Sequence, residues 1–175
     1  MREIAAEDIL GRWNQLDPAS AAREILPCCG SGAWAKQLAA QRPFASADGL
    51  FAASDEVWRS LDEAAWREAF DSHPRIGQQH ARAATAESLA WSSQEQRAAL
   101  SPDETVKLEL AEGNRRYEEK FGRIFIVCAS GRSGREILQT LNARMNNSAD
   151  AEMLEAAEQQ RQITQLRLRK WLEVS

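Results

Sequence analysis

The 175-residue sequence lacks the features that mark several large classes of protein. Its three cysteines include an adjacent pair, Cys28 and Cys29, and form neither a C-x-x-C pair nor the spaced set of a disulfide framework. No apolar run approaches the roughly 20 residues that a membrane-spanning helix requires. The N-terminus is charged from Arg2 onward without the apolar core of a signal peptide. The closing Leu-Glu-Val-Ser is not a peroxisomal signal. These absences make the cytoplasm the expected location. The net charge is −4, and the one basic cluster, Arg167-Leu168-Arg169-Lys170, sits near the C-terminus. A dedicated nucleic-acid binder, with its basic stripe, is therefore not expected. The sequence also lacks a G-x-G-x-x-G fingerprint, a P-loop and a metal-ligand cluster, so neither a cofactor nor a metal is expected.

What remains is the composition of a folded helical protein. Hydrophobic residues make up 43% and charged residues 27%, the balance of a globular chain rather than a disordered one. β-branched residues are few, and Ala, Leu, Glu, Gln and Arg are abundant, which favours helix throughout. The six tryptophans are expected to anchor the core. The expectation is an all-α single domain over residues 1–175, a helical bundle of about eight or nine helices.

The helices are predicted near 5–14, from Pro18 to before Pro27, at 31–41, at 46–59 and from Asp62 to about Ser72. A short one follows Ser92, a long one runs from Ser101-Pro102 to Phe121, and another begins at Ser133. The last extends from about 149 to 172. Asp17 is read as a cap before Pro18, and Gly122 as a residue just past a helix end. Only Ile124–Cys128 looks like a strand, and one short strand cannot build a sheet.

Two helix faces bear on function. Trp66, Ala69, Phe70 and His73 fall at i, i+3, i+4 and i+7, so His73 continues a core-facing stripe. Pro74 forces the helix to end there. His73 reads either as a helix-terminating cation or satisfied core histidine, or as a general acid/base whose aim Pro74 fixes. His80, in a polar stretch without a stripe, is read as surface. Ile137, Leu141 and Arg144 fall at i, i+4 and i+7, placing a guanidinium on an apolar face, where it needs an acidic partner or an anionic ligand.

Three further stretches carry polar chemistry. Ser92-x-x-Glu95 matches the capping box of a helix start, with Gln96 beside it offering both donor and acceptor. Cys128–Glu136 resembles a nucleophile elbow around Ser133, but Arg135 stands where G-x-S-x-G requires glycine and no parallel sheet supports the turn. Ser133-x-x-Glu136 is again a capping box. Asn114 shares a stripe with Val106, Leu110, Tyr117 and Phe121, and is expected to be a structural amide.

The ordered set of motifs resembles the OHCU decarboxylase family, which acts on 2-oxo-4-hydroxy-4-carboxy-5-ureidoimidazoline. That set is Arg42-Pro-Phe44, His73-Pro-Arg-Ile-Gly77, Ser92-x-x-Glu95-Gln96, the run from Gly113 to Leu138 with Asn114, Tyr117, Lys120-Phe-Gly122 and Phe125-Ile126, then Leu141-x-x-Arg144-x-x-Asn147 and Glu152. The resemblance covers roughly residues 14 to 168. It implies an all-helical, cofactor-independent enzyme, commonly a homodimer, that decarboxylates this small-molecule substrate to (S)-allantoin in urate degradation. Matched residue by residue, it implies a catalytic set of His73, Glu95 and Arg144. Pro74, Ser92, Gln96 and the backbone of Phe125 and Ile126 would contact substrate.

Two other readings stand beside this one: a non-catalytic helical interaction module and a serine hydrolase using Ser133. In the last helix (about 149–173) Leu154, Ala157, Leu168 and Leu172 share one face, while Ile163 and Leu166 point elsewhere. That helix could pack on a core and on a partner copy at once.

Overall fold

The computed structural model describes residues 6–77, 84–97 and 103–173. Among the described residues there are nine α-helices, one 3-10 turn and no strand. The helices are α1 (Ala6–Asn14), α2 (Pro18–Ile25), α3 (Gly32–Ala40), α4 (Ala47–Ser60), α5 (Glu63–Asp71), α6 (Ala86–Glu95), α7 (Glu104–Phe121), α8 (Gly134–Arg144) and α9 (Ala149–Glu173). The all-α expectation is borne out. Predicted starts at Asp17 and Ser133 hold because each side chain caps its helix: Asp17 accepts from Ser20 N, and Ser133 accepts from Glu136 N. Ser101 and Pro102, expected to open α7, lie outside the described residues, as does His80; Asp103 caps α7.

The chain forms two compact units. One comprises residues 1–69 and 161–175, with α1 to α4, most of α5 and the second half of α9. Four of the six tryptophans, Trp13, Trp34, Trp58 and Trp171, are buried, all in this unit. The Trp13 indole donates to Ala21 O and packs edge-on against Trp171. Arg42 ties the end of α1 to that of α3 by donating to the carbonyls of Trp13, Leu16 and Ala39. Arg167, from the basic cluster near the C-terminus, is fully buried and donates to Pro27 O. A guanidinium can take such a position because its donors can satisfy carbonyls at a helix end.

The second unit, residues 70–160, holds every residue singled out for chemistry. Its core joins α7 and α8 through Val106, Leu110, Tyr117, Phe121, Ile137 and Leu141, with Phe125 and Val127 of the connecting segment. Gly113 allows the two helices to approach closely; a Cβ there would lie 2.8 Å from Leu141 Cδ2. Gly122 ends α7 in the left-handed region at φ 70°, which glycine adopts without a Cβ clash.

One expectation, that the run 124–128 builds no sheet, holds, and two others fail in instructive ways. Segment 124–128 has no regular secondary structure and pairs with no strand among the described residues. Its backbone groups are satisfied by side chains instead: Ile126 O accepts from Arg144 Nη1 at 2.6 Å, and Cys128 N donates to Gln159 Oε1 at 2.9 Å. Ser92-x-x-Glu95 does not start a helix, because Thr85 caps α6 by accepting from Ser88 N at 3.0 Å. In α9, Leu154 is 63% exposed rather than aligned with buried Ala157, Leu168 and Leu172. The buried face runs instead through Glu152, Met153, Ala156, Gln160, Ile163, Thr164 and Arg167. Polar residues take core positions there, so apolar side chains alone misplace the stripe.

Candidate active site

All eight residues expected at the site lie in the second unit, and all are buried: His73, Pro74, Ser92, Glu95, Gln96, Phe125, Ile126 and Arg144. They fall into two groups.

The first group surrounds the loop that follows α5. Helix α5 ends at Asp71, and His73 N closes a turn on Phe70 O at 3.1 Å. Pro74 prevents the helix from continuing, so the imidazole leaves the stripe at a fixed point. Its Nε2 lies 2.7 Å from Oε1 of Gln160, a fully buried residue of α9. Further along the loop, Gly77 adopts φ 85° and its N–H donates to Gln96 Oε1 at 3.0 Å. Gln96 therefore tethers the His73 loop to the end of α6. Arg75 pairs with Glu118 of α7, with Nη2 to Oε2 at 2.8 Å, and holds the loop from another side.

Helix α6 is unusual in what it buries. Ser88, Ser92 and Glu95 fall at i, i+4 and i+7 and are its three buried residues. An amphipathic helix normally turns an apolar stripe inward. A helix that buries a serine–serine–glutamate stripe places polar groups where they can meet other polar groups rather than a hydrophobic core. The i, i+3 spacing that mimics a capping box here serves to put Ser92 and Glu95 on one face.

The second group centres on Arg144. Its position on the Ile137–Leu141 face called for an acidic partner or an anionic ligand, and the structure supplies the partner. Arg144 Nε donates to Glu152 Oε1 at 2.9 Å, and Nη2 donates to the same oxygen. Nη1 donates to Ile126 O, and the guanidinium lies 4.5 Å from the centroid of the Phe125 ring. Glu152, itself fully buried, also accepts from Tyr117 Oη at 2.5 Å and from Asn147 Nδ2 at 2.9 Å. Burial opposes ionisation of Glu152, but the hydrogen bonds from Arg144 and Tyr117 prevail and hold its carboxyl below the usual range. Burial, then the Glu152 carboxylate, pushes the Tyr117 hydroxyl in the opposite direction, well above its ordinary value. Asn114 is buried on the same face of α7.

One residue of this unit was not anticipated. The Arg123 guanidinium is buried among the rings of Phe70, Tyr117 and Phe121, 5.7 to 5.9 Å from their centroids. Its Nε and Nη2 have no hydrogen-bond partner among the described residues. Glu152 and Gln160 complete the two groups from one helix. They lie eight residues apart on α9, about 12 Å along its axis. The only advance sign of Gln160 is that a polar residue occupies a position of the buried stripe.

Ser133 does not have the setting of a hydrolase nucleophile. Its hydroxyl caps α8 in a reciprocal capping box with Glu136, and no strand leads into the turn. Among the described residues no cluster of histidine, cysteine and carboxylate side chains could hold a metal ion. No helix among them is long and apolar enough to cross a membrane.

Comparison with known proteins agrees with this architecture. The chain is 38% identical over 144 residues to the uric acid degradation bifunctional protein TTL of Arabidopsis thaliana, covering 82% of this chain and 44% of that protein. It is 32% identical over 129 residues to the 2-oxo-4-hydroxy-4-carboxy-5-ureidoimidazoline decarboxylase of Amia calva, covering 73% of each. A uric acid degradation bifunctional protein of Bacillus sp. (strain TB-90) shares 26% identity over 91% of this chain and 32% of its own length. The chain thus spans less than half the length of both bifunctional relatives. Among solved structures, one of OHCU decarboxylase in the presence of (S)-allantoin superposes with TM-score 0.74 at 34% identity, over 86% of this chain and 98% of that one. One of (S)-allantoin synthase shares the fold at TM-score 0.69 and 16% identity, over 96% of this chain and 53% of that one. The family description OHCU decarboxylase matches residues 14–169. The chain belongs to the OHCU decarboxylase family.

Proposed function

We propose that the chain decarboxylates 2-oxo-4-hydroxy-4-carboxy-5-ureidoimidazoline to (S)-allantoin, the last step from urate to allantoin, without a cofactor. The observation that carries the reading is the buried polar arrangement of the second unit. His73 is held at a proline-fixed turn, a helix buries Ser92 and Glu95, and Arg144 is anchored against the Phe125–Ile126 backbone. Such a set suits orientation and proton transfer.

The chemistry needs little more. Breaking the bond to the carboxylate releases an electron pair, which cofactors usually accept. This substrate carries its own acceptor, a C=N bond beside the carbon that loses CO2. The pair passes into the ring as the C=N nitrogen takes a proton, leaving an enol. The enol hydroxyl then gives up its proton while the neighbouring ring carbon takes one, and addition to a single face makes the product chiral. In this scheme His73 handles the proton of the 4-hydroxyl or assists departure of the carboxylate. Glu95 orients His73 or the ureido N–H groups. Three of the five N–H bonds of Arg144 are used within the protein, and the other two would meet substrate oxygens. Pro74, Ser92, Gln96 and the main chain of Phe125 and Ile126 line the substrate.

A homodimer accords with the exposed Leu154 on α9, a position for a partner copy. The three cysteines, none of them in a disulfide, suit a reducing compartment such as the cytoplasm. The test of the activity is to oxidise urate enzymatically, add the chain to the fresh product and follow circular dichroism. Water delivers the proton to both faces equally and gives racemic allantoin. The chain is expected to give an enduring (S)-allantoin signal, and a decay indistinguishable from buffer would overturn the reading.

A further inference from the structure

We propose that the groove between α2 and α3 binds a small amphiphilic carboxylate, its apolar chain along the groove and its head meeting Arg23 and Lys36. The proposal does not rest on the decarboxylase reading. The groove lies wholly in the first unit, whereas His73, Glu95 and Arg144 lie in the second.

The groove follows from side-chain size. Ala19, Ala22 and Leu26 fall at i, i+3 and i+7 along α2 and the turn after it, so they share one face. Gly32, Ala35 and Ala40 line the facing wall from α3. Methyl groups and a glycine hydrogen are too short to fill the space between two helix backbones. They leave a cavity of about 460 Å³, within the range of small-ligand sites, about 300–1,000 Å³. Helix α2 has eight residues and α3 has nine, so the groove runs for about 12–14 Å. A stable protein interface buries about 800 Å² on each partner, far more than a groove of that length offers. A small molecule is the occupant that fits.

Charge selects the class of molecule. Arg23 and Lys36 are the two charged residues that line the groove, and among the described residues no carboxylate lines it. Both are exposed, and neither is in an ion pair among the described residues. Glu68 stands beside Gly32, whose N–H donates to its Oε2 at 3.2 Å. Its charge is therefore already engaged with the positive start of α3. Apolar walls with two cations call for an apolar body that carries an anionic head. Burial supplies most of the affinity, because each buried CH2 tightens binding about fourfold. An exposed ion pair contributes only about twofold to fivefold, so the cations choose the head group more than they set the strength.

Isothermal titration calorimetry of the full chain tests this with sodium hexanoate, octanoate, decanoate and dodecanoate, each kept below its micelle concentration. One site per chain is expected, with affinity rising about tenfold for each added pair of CH2 groups until the groove is full, then levelling. Octan-1-ol, of equal chain length but uncharged, should bind more weakly than octanoate. Arg23→Gln combined with Lys36→Gln should weaken every acid about tenfold and leave the ratios between chain lengths unchanged. Ala22→Leu fills the groove and should weaken decanoate at least about tenfold. Ala19→Leu, at an exposed position of the same wall, provides the obstruction if Ala22→Leu does not fold. No saturable heat with any of the acids would overturn the proposal. So would octan-1-ol binding as tightly as octanoate, or unchanged decanoate binding in the folded obstructed chains. An obstructed chain whose sedimentation coefficient changes, while wild type binds no acid, would assign the groove to a second copy and overturn it as well.

Discussion

Replacing Glu152 by alanine tests the interactions inferred around Arg144. The carboxylate is fully buried and accepts from Arg144 Nε and Nη2, Tyr117 Oη and Asn147 Nδ2. Its removal leaves a buried guanidinium without a counter-charge, and breaking one side of such a pair costs about 3–5 kcal/mol. The tyrosine and asparagine lose an ionised acceptor as well, a bond class worth about 1.5–3 kcal/mol each. These terms share one carboxylate and do not add, so the expected loss is about 4 kcal/mol, roughly 10³-fold in the unfolding equilibrium. Urea unfolding followed by far-UV circular dichroism measures it. Arg144→Met combined with Glu152→Leu removes both charges and should recover at least about half the loss, since paired removal spares the desolvation of a lone charge. The pH dependence follows from the depressed Glu152 carboxyl. A carboxyl lowered on folding contributes stability that is fully present above the unfolded value of about 4.3, and loses it as pH falls through the lower folded value. The gap between wild type and Glu152→Ala should therefore be constant near neutrality and close only in acid. A loss below about 1 kcal/mol at pH 7, or a double variant no better than the single one, would refute the reasoning.

Other outcomes follow from single contacts. Arg123→Met should stabilise the second unit by about 1–2 kcal/mol, because it removes a buried guanidinium with two nitrogens unpartnered among the described residues at the expense of weaker ring contacts; a rise in Tm checks this, and a fall would mean that something satisfies the guanidinium. Thr85→Ala should cost about 1 kcal/mol by removing the α6 cap, seen as roughly fivefold faster hydrogen exchange at the α6 amides, whereas unchanged exchange would restore the reading of Ser92 as the cap. Gly122→Ala should lower stability by about 1 kcal/mol through its positive φ, measured by urea unfolding.

How far the sequence reached depended on whether a residue's partner was local. The starts of α2 and α8 were legible because Asp17 and Ser133 cap amides three residues on, within their own motifs. The need for an acid near Arg144 was legible from its apolar face, and Glu152 satisfies it from the first turn of α9. Ser92-x-x-Glu95 misled because a cap and a helix face share the i, i+3 spacing, and only the residues upstream decide between them. Leu154 misled because the α9 stripe is built partly from Glu152, Gln160 and Arg167, whose burial depends on partners distant in sequence. The pairing of Gln160 with His73 spans 87 positions, and no local pattern announces it. Arg123 gave no warning at all: no local pattern marks it as buried, and its cage comes from three rings on two helices.

The central proposal is a decarboxylation to (S)-allantoin in which His73 handles the proton of the 4-hydroxyl or assists departure of the carboxylate. It is tested most directly by following the circular dichroism of freshly oxidised urate with wild type and with His73→Asn side by side. General acid–base catalysis contributes about 10²–10⁴-fold, so wild type should build the (S)-allantoin signal rapidly. His73→Asn, shown to be folded by its far-UV spectrum, should approach the buffer rate and its racemic product. A folded His73→Asn chain that still makes (S)-allantoin at close to the wild-type rate would contradict the account.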